Sequence, residues 1–232
     1  MVTYTFADAQ SAVKRALRLV NQTDIDLMKA RINVAHRDLC QLAPWSALYA
    51  EETVTPSLGV VTPANGIAGV CFVEAVMQGG AKTHAWFIPN GDQYSDDLRG
   101  RCVWAMEGNA SVKVMSVDPD TGAVGTDFAA AVIGYWKPPA ALSADTDALA
   151  LPSIRALTAR VVEDCIGLMD RKEVDANPWR AEFQQGMKEL SALAVQQPLP
   201  PLRLMSGRVL TRAPIYPIFT LAAQQPQEQQ QQ

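Results

Sequence analysis

Histidine is nearly absent, with two in 232 residues, His36 and His84, and neither stands in a recognisable nucleophile or metal motif. No dinucleotide-binding glycine fingerprint, P-loop or nucleophile elbow occurs. Nucleotide and hydrolase chemistry therefore lose their usual anchors. Cysteine is sparse: Cys40, Cys71, Cys102 and Cys165 lie far apart with no CxxC, in a chain large enough to fold without cross-links, which points to a reducing compartment. No stretch approaches the roughly 20 apolar residues of a membrane span. The opening MVTYTFADAQ lacks both a basic region and an apolar region of a secretory signal, so a soluble, unexported protein is expected. A net charge of −4 argues against coating nucleic acid by neutralising phosphates over the whole surface.

What is present is a core-forming composition, 48% hydrophobic and 19% charged, arranged in three textures. Helical spacing comes first. Thr5 followed by Asp8 has the form of a capping box, and Ala9, Val13, Ala16, Leu17 and Val20 continue it, predicting a helix from about residue 6 to 20. Thr23 with Asp26 suggests a second start, and Ile25, Met28, Ile32, Ala35, Leu39 and Leu42 form a narrow seam that Pro44 stops. Joined by Asn21-Gln22, the two helices should pack antiparallel with their stripes against each other.

From residue 45 to 141 the chain turns to short β-branched and aromatic runs, cut by turn signals such as Asn65-Gly66, Gly79-Gly80, Asn90-Gly91 and Gly108-Asn109. Strands are predicted at 46–54, 59–62, 69–77, 83–88, 101–107, 111–117 and 130–137, in an antiparallel sheet or small barrel. This segment carries a balance of −5, most of the chain's acidity. Helices then return. Leu151-Pro152 opens a stripe of Ile154, Leu157, Val161, Cys165 and Leu168 ending near Arg171-Lys172. Asn177-Pro178 reads as an N-cap with Pro at the first helical position, before Trp179, Phe183, Met187, Leu190 and Ala194. Pro198, Pro200 and Pro201 end that helix.

Residues 198–223 are unlike a core or a linker. Arg203, Arg208 and Arg212 occur with no acid, among Leu202, Leu204, Leu210, Ile215, Tyr216, Ile218 and Phe219 and five prolines. So much apolar surface is costly in water and the prolines block regular structure, so an extended docking arm fits best, on its own sheet or a neighbouring subunit. The last nine residues, 224–232, hold seven Gln and read as a disordered tail.

The few chemical candidates are weak. His36 and Cys40 share a helix face, and Cys71, Cys102 or His84 could complete a zinc site, but the required second pair is missing. A packing role beside a small buried thiol is the plainer reading. Asp118, Asp120 and Gly122 imitate the opening of a calcium loop without its distal Glu, and fit a hairpin turn better. Asp92, Asp96 and Asp97 read as a solvated loop. Trp86, Trp104 and Trp136 sit in separate strands and could line a groove, though strand aromatics usually serve cores and interfaces.

Ile32, Asn33, Arg37 and Leu39 leading to Trp45 and a strand, with the junction GYWKPPAALSADTDALALP at 134–152, resemble head-to-tail adaptor proteins of tailed bacteriophages. The resemblance implies a helical bundle with a β-containing excursion, assembled as a ring of usually twelve copies beneath the portal, with an arm reaching the portal or a neighbour. It implies no catalysis and no cofactor, so no catalytic, cofactor-binding or metal-binding residue is expected. The β segment, close to one hundred residues, is larger than that pattern. The expectation is therefore an α+β protein. A four-helix bundle is built from an N-terminal helical hairpin (1–44) and a C-terminal helical pair (142–197). An antiparallel β-rich domain (45–141) is inserted between them, and an arm (198–223) and a tail (224–232) follow. Its partners would be the portal, neighbouring copies, tail or neck proteins, and DNA passing without specific binding, with no membrane. It would be made in the host cytoplasm and sit in the virion neck, joining capsid to tail, lining the DNA channel and serving genome ejection. A tail completion or terminator ring is the alternative, and a metal-dependent hydrolase using His36 and Cys40 the third.

Overall fold

A computed structural model describes residues 3–88, 98–108, 110–169 and 174–196. The first helix, α1 (Phe6–Leu17), begins as the sequence predicts. Thr5 N–H donates to Asp8 Oδ2 at 2.8 Å and Asp8 N–H to Thr5 Oγ1 at 3.3 Å, so two end donors are satisfied reciprocally. It stops three residues earlier than predicted, because Arg18 turns left-handed at φ 49° and Val20 is left 91% exposed. The second helix, α2 (Gln22–Cys40), is capped by Asn21, whose Oδ1 accepts from Thr23 N–H at 2.9 Å. The expected start at Thr23 is thus corrected by two residues, in line with the stronger N-cap preference of Asn.

After a 3-10 turn (Ser46–Leu48), eight strands follow: β1 (Tyr49–Val54), β2 (Val60–Val61), β3 (Gly69–Val76), β4 (Lys82–Phe87), β5 (Cys102–Glu107), β6 (Ser111–Val117), β7 (Val124–Gly125) and β8 (Ala130–Trp136). They form one sheet in the order β1-β8-β3-β4-β5-β6-β2, with β7 also on β6. The seven predicted strands are present within one to three residues, and β7 is an addition. The expectation of an all-antiparallel sheet is wrong at one ladder, since β4 and β5 run parallel. Parallel neighbours need a crossover rather than a tight turn, and the 14 residues between these strands are long enough to make one.

The last strand, β8, inserts between the first two long ones, so the excursion ends where it began. Lys137 N–H donates to Leu48 C=O at 2.8 Å, and the rings of Tyr49 and Trp136 meet edge to face at 6.2 Å. Gly134 in β8 lies beneath the ring of Phe72, which occupies the space a side chain there would need.

Two helices close the described chain, α3 (Arg155–Leu168) and α4 (Asn177–Gln196). Pro152 precedes α3 instead of occupying its first turn, and Leu168, expected in the buried stripe, is 51% exposed. Asn177 is the first residue of α4 rather than its cap, and its N–H donates to Asp175 Oδ1 at 2.9 Å. The expected pairing of the first two helical stripes is also corrected: α1 and α2 lie more extensively against α3 than against each other. Ala156, Leu157, Ala159, Val161, Val162 and Cys165 are therefore buried nearly all round α3. A single core joins the four helices to Trp45, Leu48, Trp136, Leu142, Leu149 and Leu151 at the base of the sheet. Val73, Ile133, Tyr135, Val112 and Val114 fill one face of the sheet, and Val103, Ala105, Met115 and Val117 cluster on the other.

Candidate functional site

The residues with the densest polar network join the sheet to the helices. Residues 138–154 run from β8 to α3 across α1 and α2, held by side chains whose geometry matches backbone donors and acceptors. Asn33 acts as a backbone surrogate: its Oδ1 accepts from Leu142 N–H at 2.7 Å and its Nδ2 donates to Leu142 C=O at 3.0 Å. The same Nδ2 also donates to Lys29 C=O at 3.2 Å. Phe6 and Ala7 N–H donate to the carbonyls of Asp147 and Asp145 at 2.8 and 3.0 Å, and Leu149 N–H to Tyr4 C=O at 2.8 Å. In this way the first two N–H groups of α1 find partners in the crossing segment. Gln10, only 4% exposed, donates from Nε2 to Asp145 Oδ1 at 2.8 Å. Asp147 closes the bend by accepting from Ser143 and Ala144 N–H at 2.6 and 2.8 Å, and those bonds hold its carboxyl below the ordinary range.

His36 completes this clasp. Its Nε2 accepts from Ala150 N–H at 3.1 Å, which requires a neutral ring, and burial pushes its pKa down to about 4 from the ordinary 6.5. The unfolded chain takes up this proton below pH 6.5 while the folded one resists it to about pH 4. The contribution is full above 6.5 and lost as pH falls through that window. Stability is expected to drop by about 2 kcal/mol between pH 7 and pH 5 through this group alone. Urea titrations of the wild type and His36→Gln should show that increment only in the wild type; equal slopes would refute it.

Among the described residues the metal reading finds no supporting geometry. One His36 nitrogen already accepts a backbone proton, the Cys40 thiol is pushed up to about 12 by burial, and no group of three or more metal-capable His, Cys, Asp or Glu occurs among the described residues. Asp118 serves a turn: its Oδ1 accepts from Asp120 N–H, Thr121 N–H and Thr121 Oγ1–H at 3.0, 2.7 and 2.8 Å, with Gly122 at φ 72°. The three strand tryptophans do not converge. Trp136 packs with the helices, Trp104 sits against Phe87 on one sheet face, and Trp86 lies on the other with Arg101 4.6 Å above its ring. Asp92, Asp96 and Asp97 fall outside the described residues, as does the whole arm: Leu202, Arg203, Leu204, Arg208, Leu210, Arg212, Ile215, Tyr216, Ile218 and Phe219.

Both stretches that suggested a resemblance in the sequence, Ile32–Trp45 by way of Asn33 and residues 134–152, meet in this clasp. Trp45 itself is 1% exposed and donates from Nε1 to Leu39 C=O at 3.2 Å. What sequence reasoning missed are the contacts: Asn33 to Leu142, His36 to Ala150 and Gln10 to Asp145 span more than one hundred residues, and no local pattern announces them. Among the described residues no helix is long and apolar enough to cross a membrane. Compared with known proteins, residues 4–205 match the family model described as SU10 adaptor protein. No curated protein matches the chain.

Proposed function

Because the chain belongs to the SU10 adaptor protein family, a family of phage head-to-tail adaptors, it is a structural virion protein of the neck, and we propose that it acts there as a ring subunit beneath the portal. In this reading the four helices close as one bundle and form the body of the ring, usually of twelve copies. The sheet contacts a tail or neck partner, and residues 198–223 dock on the portal or an adjacent subunit. The single observation that carries the reading is the family match over 202 residues, with the clasp binding the two halves of the matched region into one unit. A ring subunit meets its neighbours through two different surfaces, a heterologous contact that closes by rotation. A net charge of −4 suits a channel that conducts DNA without gripping phosphates.

Deleting residues 198–232 should leave a folded monomer that binds portal rings at least tenfold more weakly. Native mass spectrometry with and without the cognate portal reads both properties. Undiminished assembly of the truncated chain would refute the arm's role.

A further inference from the structure

Five residues, 55–59, join β1 to β2, yet these strands stand at opposite ends of the strand order. Laid flat, seven strands would hold them about 29 Å apart, whereas six chain steps span at most about 22 Å, so the sheet curls until its margins approach. Ala64 N–H, just past β2, reaches Glu52 Oε2 of β1 at 3.3 Å. The inward face is the one filled by Val73, Val114 and Ile133. Thr83, Cys102 and Ser116 continue that face to the end of the sheet away from the helices, where β3 and β6 finish and β4 and β5 begin. There they line a cavity of about 520 Å³ that opens to solvent, within the roughly 300–1,000 Å³ of ligand-binding clefts.

The chemistry of this cavity selects an uncharged occupant. Met77, Pro119, Ala123 and Val124 form apolar walls, and Val124 is 42% exposed. Both charged residues in its lining are already engaged: Arg101 lies over the Trp86 ring, and Asp118 closes its own turn on Thr121 N–H. Beyond α4 lie 36 residues, 197–232, outside the described structure, and within them residues 213–219, Ala-Pro-Ile-Tyr-Pro-Ile-Phe, carry no charge. Pro214 and Pro217 have no N–H to give a strand ladder but favour a polyproline II helix. Its three-residue turn puts Ile215 with Ile218 on one edge and Tyr216 with Phe219 on the next. A segment so preformed docks in a pocket at low entropic cost. We infer that residues 214–219 of one copy occupy this cavity in a neighbouring copy. From residue 196 to 214 the extended chain reaches up to about 60 Å, enough to cross between subunits. The inference rests on the adaptor reading, which brings copies side by side.

Cysteine pairing tests it. Thr83 is exposed at the cavity wall, so T83C chains, with C102A removing the nearby thiol, are mixed with chains carrying I215C, Y216C, I218C or F219C. The mixtures are assembled on cognate portal rings and mildly oxidised, with chains lacking an engineered cysteine as control. The expected result is a disulfide-linked dimer of T83C with at least one arm variant and none in the control. A link that forms only when both cysteines are in one chain, a link of T83C to a different protein alone, or no link in any pairing overturns the proposal. A123W, which fills the cavity, should weaken assembly on the portal at least tenfold while its urea midpoint stays near that of the wild type; undiminished assembly overturns the proposal as well. The arm deletion separates the two failures. If deletion weakens assembly and no link forms, this contact alone is wrong; if deletion leaves assembly intact, the adaptor reading of the arm is wrong.

Discussion

Replacing Asn33 by Ala is expected to lower the stability of the folded chain by about 3 kcal/mol, a large share of the 5–15 kcal/mol typical of a whole domain. The reason lies in what the amide leaves behind. Leu142 is 6% exposed, and its N–H and C=O both end on the Asn33 side chain. Truncation orphans one donor and one acceptor together, at about 1–3 kcal/mol each, offset in part because Asn33 is half-buried and water can approach. For a protein of this size the loss corresponds to a melting temperature lower by roughly 10 °C. Asn33→Asp is the sharper control. It keeps an acceptor for Leu142 N–H but sets a carboxylate oxygen against Leu142 C=O. Its deficit relative to wild type at the same pH should therefore widen as pH rises through about 4, the ordinary range of Asp. An Ala variant within about 0.5 kcal/mol of wild type by urea denaturation would show that the clasp does not hold the crossing segment.

This residue also marks where local reasoning ends. The capping box at Thr5 and Asp8 and the long strands could be read because each signal is complete within a few residues: a cap and its partner three apart, or a run of β-branched side chains between turns. The parallel β4–β5 ladder could not, because a turn signal in sequence, such as Asn90-Gly91, announces a hairpin and a crossover alike. Nor could the choice of α3 as the helix on which α1 and α2 converge, since an apolar stripe states that a face is buried and not against what. The clasp falls between these cases. Asn33 and the 134–152 junction stand out together as a pattern, but that one grips the other is a contact across 109 residues. The arm's composition is plain in sequence, and its place is a matter of assembly.

Gly186→Leu is expected to detach α4. The stripe of Trp179, Phe183, Met187, Leu190 and Ala194 does pack on the helical core as its spacing predicts, but only Leu190 of that set is fully buried, with Gly186 beside it. The close approach is made through the glycine. A Cβ at 186 would stand 2.5 Å from the Ala156 nitrogen and 2.8 Å from its Cα, backbone of the first turn of α3 that no side-chain rotation can move aside. Gly in a helix interior costs about 1 kcal/mol relative to Ala, so its presence here opposes helix propensity in favour of this contact. Gly186→Ala sets that gain of about 1 kcal/mol against an overpacking cost of about 1–3, and should come out mildly destabilising. Leu cannot be accommodated without moving the helix axes apart, which loosens the packing of Leu190 and Phe183 on the helical core. The ion pairs Arg155–Glu182 at 2.6 Å and Arg180–Glu163 at 2.8 Å also bridge the two helices, but they lie at the solvent-facing margin of the contact, where such pairs add little. The Leu variant should lose about 4 kcal/mol in global stability. Before that, amide exchange should accelerate throughout α4 while β3 and β8 keep their protection, because among the described residues α4 lies principally on α3. Uniform acceleration across sheet and helices would mean that α4 unfolds only with the rest, and wild-type protection in α4 would mean that the close crossing at Gly186 is not what fixes it.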